Sequence, residues 1–387
     1  MGVARAHIKK PDRRDLVLME LAPGTVCAAT FTTNAFCAAP VVLARRHLQV
    51  RSPRFLLVNT GYANAGTGER GMADAQTCCE AVAVRGACRA DEVLPFSTGV
   101  IGEFLPTDRV VNGLDAAFGN LSPDGWLEAA QGIMTTDTVA KGASRRIEID
   151  GKTVTITGIA KGAGMIAPNM ATMLAFIATD AGVSQPSLQK LLGRAVEQSF
   201  NRVIVDGDMS TNDACVLAAT GQSGVAIGSE SSDACRDFES ALTDVCVRLA
   251  QAIVRDGEGA TKFVTLDING GATLEECRQV GRAIGTSPLI KTALFASDPN
   301  WGRILAAIGR AGLEGLAIDR VDVYLGDVCI VNGGMRASNY TEAAGQATMN
   351  RPEVAIRVEL ARGGHSATYW TCDFSYDYVR INAEYRT

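Results

Sequence analysis

The chain has 387 residues, with 37 Lys and Arg against 42 Asp and Glu, for a formal net charge of −5. Hydrophobic residues make up 47% and charged residues 20%, enough apolar content to bury a sizeable core and to exclude intrinsic disorder. An acidic balance with no basic stripe argues against a nucleic-acid or anionic-membrane binder. No window reaches about 18 uninterrupted apolar residues, as a membrane span would require. The opening run MGVARAHIKKPDRRD lacks the apolar stretch of a secretory signal, and position 6 lacks the Ser or Thr of a myristoylation motif. These features predict a soluble, cytoplasmic protein.

Along the chain, hydrophobic patterning predicts strands at 16–21 and 55–59, then helices at 73–89 and 107–118. Extended runs follow at 146–150, 154–158 and 173–179, then a helix at 187–200 and a strand at 202–205. The clearest helix spans 233–255, where Phe238, Leu242, Val245, Leu249 and Ile253 repeat every three or four residues and make one buried stripe. A strand at 262–268, helices at 273–285 and 301–312, and alternating strands at 321–331, 354–360 and 367–384 complete the pattern. Stretches near 140–145 and 221–232 read as surface connections. Strand clusters with intervening helices suggest layered α/β sheets rather than one parallel sheet.

Eleven cysteines and three histidines (His7, His47 and His365) are present, and no CxxC occurs. A zinc site therefore lacks its usual ligand spacing, and the cysteines read as reduced, structural residues. Several Gly-rich segments interrupt the pattern, among them 59–71, 97–103, 160–176, 205–213, 255–263 and 297–303. None reads GxxxxGK[ST], and none places GxGxxG between a strand and a helix, so taken singly they read as turns.

Segment 160–176, AKGAGMIAPNMATMLAF, stands apart because a backbone-permissive stretch runs straight into Thr172 and an apolar strand. Thr172 fits the start of a strand by β-propensity alone. It also fits a nucleophile freed by cleavage of the Ala171–Thr172 bond. A hydroxyl needs a neighbouring base, and no histidine lies within sixty residues in sequence. A free α-amino group on Thr172 would supply that base, with an ordinary pKa of about 7.7–8.0 close to working pH.

The residues KGAGMIAPNMATMLAF, with STGVIGE upstream and DGEGATKF, KTALFASDPNWGRILAAIGRAG and DYVRINAEYRT downstream, closely resemble the ornithine acetyltransferase family over residues 1–387. These are the glutamate N-acetyltransferases of the cyclic arginine pathway. The resemblance implies a four-layer α/β/β/α sandwich like that of the DmpA-type aminopeptidases, similar in principle to the N-terminal nucleophile hydrolases. It also implies self-cleavage into an alpha chain (1–171) and a beta chain (172–387), assembled as an α₂β₂ heterotetramer. Thr172 matches the nucleophile and new N-terminus, and Thr98 and Gly99 match the oxyanion hole. Lys161, Thr135, Glu258, Asn382 and Thr387 match the substrate pocket, with Lys161 facing a carboxylate and Glu258 an ammonium. As ordinary features, Glu258 would be a solvated loop carboxylate, Asn382 a strand-end hydrogen bond and Thr135 a helix cap.

Met209, Tyr62 and Phe96 depart from the family pattern, which bears on substrate preference rather than reaction class. The expected reaction moves acetyl from N²-acetyl-L-ornithine to L-glutamate through an acetyl-threonine intermediate. No metal or cofactor is expected. Acetyl-CoA is a possible co-substrate, and the bifunctional form is the reading taken. The alternatives are an aminopeptidase or amidohydrolase on the same sandwich, a binding protein whose Gly-rich loops are turns, and a metal-dependent amino-acid enzyme.

Overall fold

The computed structural model describes residues 1–167 and 173–384. Among them, one compact unit comprises 1–162, 173–201 and 208–253, and a second comprises 163–167, 202–207 and 254–384. These units cut across the 171/172 division that the sequence implies for the two chains.

The first unit holds two facing sheets. One has the order β1 (Gly2–Ala4), β2 (Leu16–Glu20), β4 (Phe55–Tyr62), β5 (Val93–Val100), antiparallel except for the parallel β4–β5 pair. Side chains alternate across a strand, so each strand serves two layers. Leu16, Leu18, Phe55, Leu57 and Val93 pack outward with residues of α1 (Ala39–Val50), α2 (Gly68–Arg85) and α3 (Thr107–Gly119). Val17, Met19, Leu56, Val58, Leu94 and Phe96 point inward.

The inward residues meet the second sheet, ordered β3 (Val26–Phe31), β11 (Ala214–Ala219), β8 (Leu174–Thr179), β7 (Lys152–Lys161), β6 (Lys141–Ile149). Its contribution is Cys27, Ala29, Ile159, Leu174, Phe176, Ala214, Val216 and Ala218. Phe96 and Phe176 meet edge-on at 5.1 Å. Phe96, a departure from the family pattern, is thus a core residue filling the gap between sheets, where burial of such a side chain contributes about 1.5–3 kcal/mol.

On the far side, α5 (Gln185–Gln198) covers β3 and β11. The long α6 (Asp233–Arg255) brings Leu249 against Gly158 of β7, burying the predicted stripe. The order helix, sheet, sheet, helix is the expected four-layer sandwich. A short helix, α4 (Trp126–Gly132), adds Ala129 and Ala130 to the inter-sheet core, and β9 (Gly182–Val183) pairs with β12 (Ala226–Ile227).

The second unit is a seven-stranded sheet with the order β10 (Val203–Ile204), β18 (His365–Cys372), β13 (Phe263–Gly271), β17 (Glu353–Glu359), β14 (Asp322–Leu325), β15 (Val328–Asn332), β16 (Met335–Arg336). Four helices, α7 (Leu274–Gly285), α8 (Pro288–Phe295), α9 (Trp301–Gly309) and α10 (Glu342–Met349), join it in one apolar core through residues such as Leu266, Val280, Leu294, Ile304 and Met349.

The structure corrects three expectations. Residues 141–145 form part of strand β6 and are not a surface connection. The run at 367–384 is not one strand: β18 ends at Cys372, and Ser375, whose side chain accepts from the Tyr378 N–H, caps the helix α11 (Tyr376–Ala383). The run at 321–331 is a hairpin of β14 and β15. All eleven cysteines are free, and burial pushes Cys27, Cys78 and Cys246 up to about 12. Among the described residues no helix is long and apolar enough to cross a membrane.

Candidate active site

In the first unit, Thr98 lies near the end of β5 on the face turned toward the second sheet. Lys161, the last residue of β7, donates from Nζ to Thr98 Oγ1 at 3.2 Å, and both side chains are buried. An ammonium only donates, so Thr98 accepts from Lys161 and keeps its own hydroxyl proton for another acceptor. Gly99 follows with φ +140°, where β4 and β5 slip register. A Cβ there would fall 2.2 Å from the Gly61 carbonyl carbon, so only glycine fits this close approach.

Asp137 organises the ground around Lys161. Its Oδ1 accepts from Lys141 Nζ at 2.6 Å and from the Gly162 N–H at 2.7 Å, and its Oδ2 accepts from the Thr135 N–H at 3.0 Å. Burial alone would raise this carboxyl, but the charges of Lys161 and Lys141 and these hydrogen bonds outweigh it and hold it down at about 2. Thr135 is tied in through its backbone after α4 has ended, and no helix begins there, so it is not a cap.

Lys161 is paired across the sheet with Leu174, next to Met173. The Met173 N–H, the donor of the peptide bond that follows Thr172, donates to Asp213 Oδ1 at 2.9 Å. Asp213 is 1% exposed, and its Oδ2 has no hydrogen-bond partner among the described residues. Burial raises this carboxyl well above its usual range, against the opposing pull of the Met173 N–H and the Lys161 charge. Thr172 itself, the expected nucleophile, lies outside the described residues, as does Thr387.

The second unit carries the acidic residues. Glu258 is buried, not solvated, and Asn382 Nδ2 donates to its Oε2 at 2.8 Å. Asn382 does this from α11, not from a strand end. The Glu258 N–H donates to the Ala163 carbonyl at 2.7 Å, and Gly164 lies so close that a Cβ there would sit 2.4 Å from the Glu258 carboxyl carbon. Asp373 holds the same loop from beyond, accepting from the Thr261 and Lys262 N–H groups at 2.8 Å each. Asp206 accepts from the N–H groups of Met165 and Ile166.

The structure therefore joins Thr98 with Lys161, sets Thr135 on the same carboxylate network, and joins Glu258 with Asn382. Sequence reasoning missed Asp137, Lys141 and Asp213. Asp137 and Lys141 are four residues apart, but Gly162 and Lys161, which meet Asp137, and Asp213 lie on other segments that only the fold brings together. Of the other departures, Tyr62 lies under Lys9 Nζ, 4.9 Å from its ring centroid, and Met209 Sδ accepts from Thr33 Oγ1. Among the described residues, no three His, Cys, Asp or Glu side chains cluster closely enough to hold a metal.

A buried hydroxyl held by a lysine, followed by a glycine required by close backbone approach, suits an enzyme that stabilises a developing oxyanion. The family model described as the ArgJ family matches residues 1–387. A protein named arginine biosynthesis bifunctional protein ArgJ from Pseudomonas syringae pv. tomato is 56% identical over 388 residues, covering 100% of this chain and 96% of its own. One of the same name from Methylococcus capsulatus is 58% identical over 387 residues, covering 100% and 95%. A crystal structure of arginine biosynthesis bifunctional protein ArgJ from Bacillus halodurans matches with a TM-score of 0.52 and 37% identity, covering 54% of this chain and 97% of that one. The chain belongs to the ArgJ family of arginine biosynthesis. That membership favours acyl transfer between amino acids over the aminopeptidase alternative.

Proposed function

We propose that the protein transfers acetyl from N²-acetyl-L-ornithine to L-glutamate through an acetyl ester on Thr172. The observation that carries the residue roles is the Lys161–Thr98 hydrogen bond beside Gly99. In this reading the chain first cuts itself. Thr172 Oγ attacks the Ala171 carbonyl, the peptide nitrogen leaves as an amine, and water hydrolyses the resulting ester. The freed α-amine then takes the Thr172 hydroxyl proton as Oγ attacks the acetyl carbonyl.

The Thr98 hydroxyl and the Gly99 N–H donate to the developing oxyanion, and the proton passes to ornithine as it leaves. The glutamate amine then takes the acetyl group. The Lys141, Lys161 and Asp137 cluster carries one positive charge in excess, which suits a substrate α-carboxylate. Glu258, held by Asn382, suits an ammonium. Thr135 and Thr387, which match the family's substrate-binding positions, are included in the proposal as further residues that bind the amino acid.

The word "bifunctional" in the relatives' names supports a second donor, acetyl-CoA, giving N-acetylglutamate directly. We include in the proposal the α₂β₂ assembly of chains 1–171 and 172–387 and a cytoplasmic location, and no cofactor is invoked.

Intact mass and denaturing gels of the wild type beside Thr172→Ala test this reading. Two wild-type chains parting before Thr172, and one uncut mutant chain without acetyl transfer, are expected. A wild type that stays whole, or a mutant that still transfers acetyl, would overturn it. Native mass spectrometry reads the assembly, and assays with and without acetyl-CoA read the second activity.

A further inference from the structure

Thr60 of β4 stands directly beside Thr98 of β5 in the parallel register. Leu56 and Val58 on β4, and Leu94 and Phe96 on β5, all point into the inter-sheet core. A period of two places Thr60 and Thr98 next on that same face. Thr98 confirms the direction through its contact with Lys161 of the opposite sheet. On the reverse face, Asn59 and Ser97 satisfy each other through a 2.5 Å hydrogen bond.

Thr60 has no such arrangement. It is 2% exposed, its N–H is used by the Asp15 carbonyl, and its Oγ1 has no hydrogen-bond partner among the described residues. A buried hydroxyl without a partner destabilises a fold, and valine would fill the same volume without that cost. A polar atom kept at such a place is explained when a ligand completes it.

We propose that Thr60 is a further substrate-contacting residue, donating from its hydroxyl to the acyl oxygen of an N-acyl amino acid beside Thr98 and Gly99. Neighbouring strands run about 4.8 Å apart, so hydroxyls on adjacent strands can each approach one shared oxygen at about 2.8 Å. The donor set at the acyl carbon would then draw on two strands rather than on the Thr98–Gly99 pair alone. This inference rests on the acetyl-transfer reading above.

The test compares wild type, Thr60→Val and Thr60→Ser in steady-state acetyl transfer and in melting temperature without substrate. Thr60→Val is expected to lower kcat about tenfold or more with KM nearly unchanged, as loss of an oxyanion donor does. Thr60→Ser, which keeps the hydroxyl, should stay close to wild type. The melting temperature of Thr60→Val should equal or exceed that of wild type. A Val variant with kcat within about twofold of wild type, or one that melts lower, overturns the proposal, since the hydroxyl then serves no substrate or serves the fold. A wild type that transfers no acetyl sinks the functional reading. That outcome overturns the Thr60 proposal with it, whereas an active wild type beside an equally active Thr60→Val overturns the proposal alone.

Discussion

The hydroxyl and cationic residues of the first unit and the carboxylate of the second are built in different ways. Lys161 sits on β7, held by ladders to β6 and β8 on its two sides, and Thr98 on β5, laddered to β4. Glu258 sits on a loop, and its carboxylate is placed by Asn382 from α11 and by the absence of a side chain at Gly164. Strand-mounted donors suit a task that tolerates little movement, such as meeting an oxyanion. A loop-mounted carboxylate suits recognition, where a small shift changes affinity before it changes chemistry.

Mutations can break this contrast at either end. The largest effect is expected for Asp137→Asn, which leaves Lys141 and Lys161 buried without their shared anion. Stability should fall by about 3–5 kcal/mol, read by urea unfolding. The folded carboxyl lies below its unfolded value, so its contribution is present above about pH 4 and is lost as pH falls toward 2. Wild type and variant should therefore converge in acid.

Thr98→Val should come next, with kcat lowered by roughly 10²–10³ and KM little changed. Gly164→Ala should act on the other half. Its methyl would push the Glu258 carboxylate aside, and KM for the amino-acid substrates should rise about tenfold, the equivalent of about 1.4 kcal/mol. If kcat falls there while KM holds, the division between strand-mounted chemistry and loop-mounted recognition is wrong.

The smallest effect concerns Asp213. Its folded carboxyl is raised, so the stability it contributes is full below the unfolded value near 3.9 and declines as pH rises through the folded one. Asp213→Asn cannot ionise and should gain on wild type as pH rises above about 4, read as a relative rise in melting temperature.

Much of the fold could be read from periodicity. The apolar stripe of α6 predicts its burial, and β17 alternates as its residues do. What was missed has identifiable causes. β6, KGASRRIEI, is an edge strand whose exposed face carries charges, so it reads as a connection. The strands β3, VCAATF, and β11, ACVLAA, are rich in alanine and carry no β-branched pattern. The helix α11 hides in an aromatic and β-branched run, although Ser375 gives a cap signal.

The candidate site became legible through its motifs, which are local. Asp137 lies 24 residues before Lys161, and Asp213 meets Met173 from 40 residues away, so neither leaves a local pattern. Thr60 likewise reads as an ordinary strand residue until its hydroxyl is seen to have no hydrogen-bond partner among the described residues.

The strand order of the second sheet has a consequence for a cut before Thr172. β3, β7 and β6 come from the upstream segment, whereas β11 and β8 come from the downstream one. The downstream pair is clamped between upstream neighbours by two antiparallel ladders, β3 with β11 and β7 with β8, each six register pairs long. Severing the chain there would nick the molecule without parting it, since both ladders and the core they enclose would have to open together. Either segment made alone would display raw sheet edges, and the two should form a working enzyme only when they fold in each other's presence.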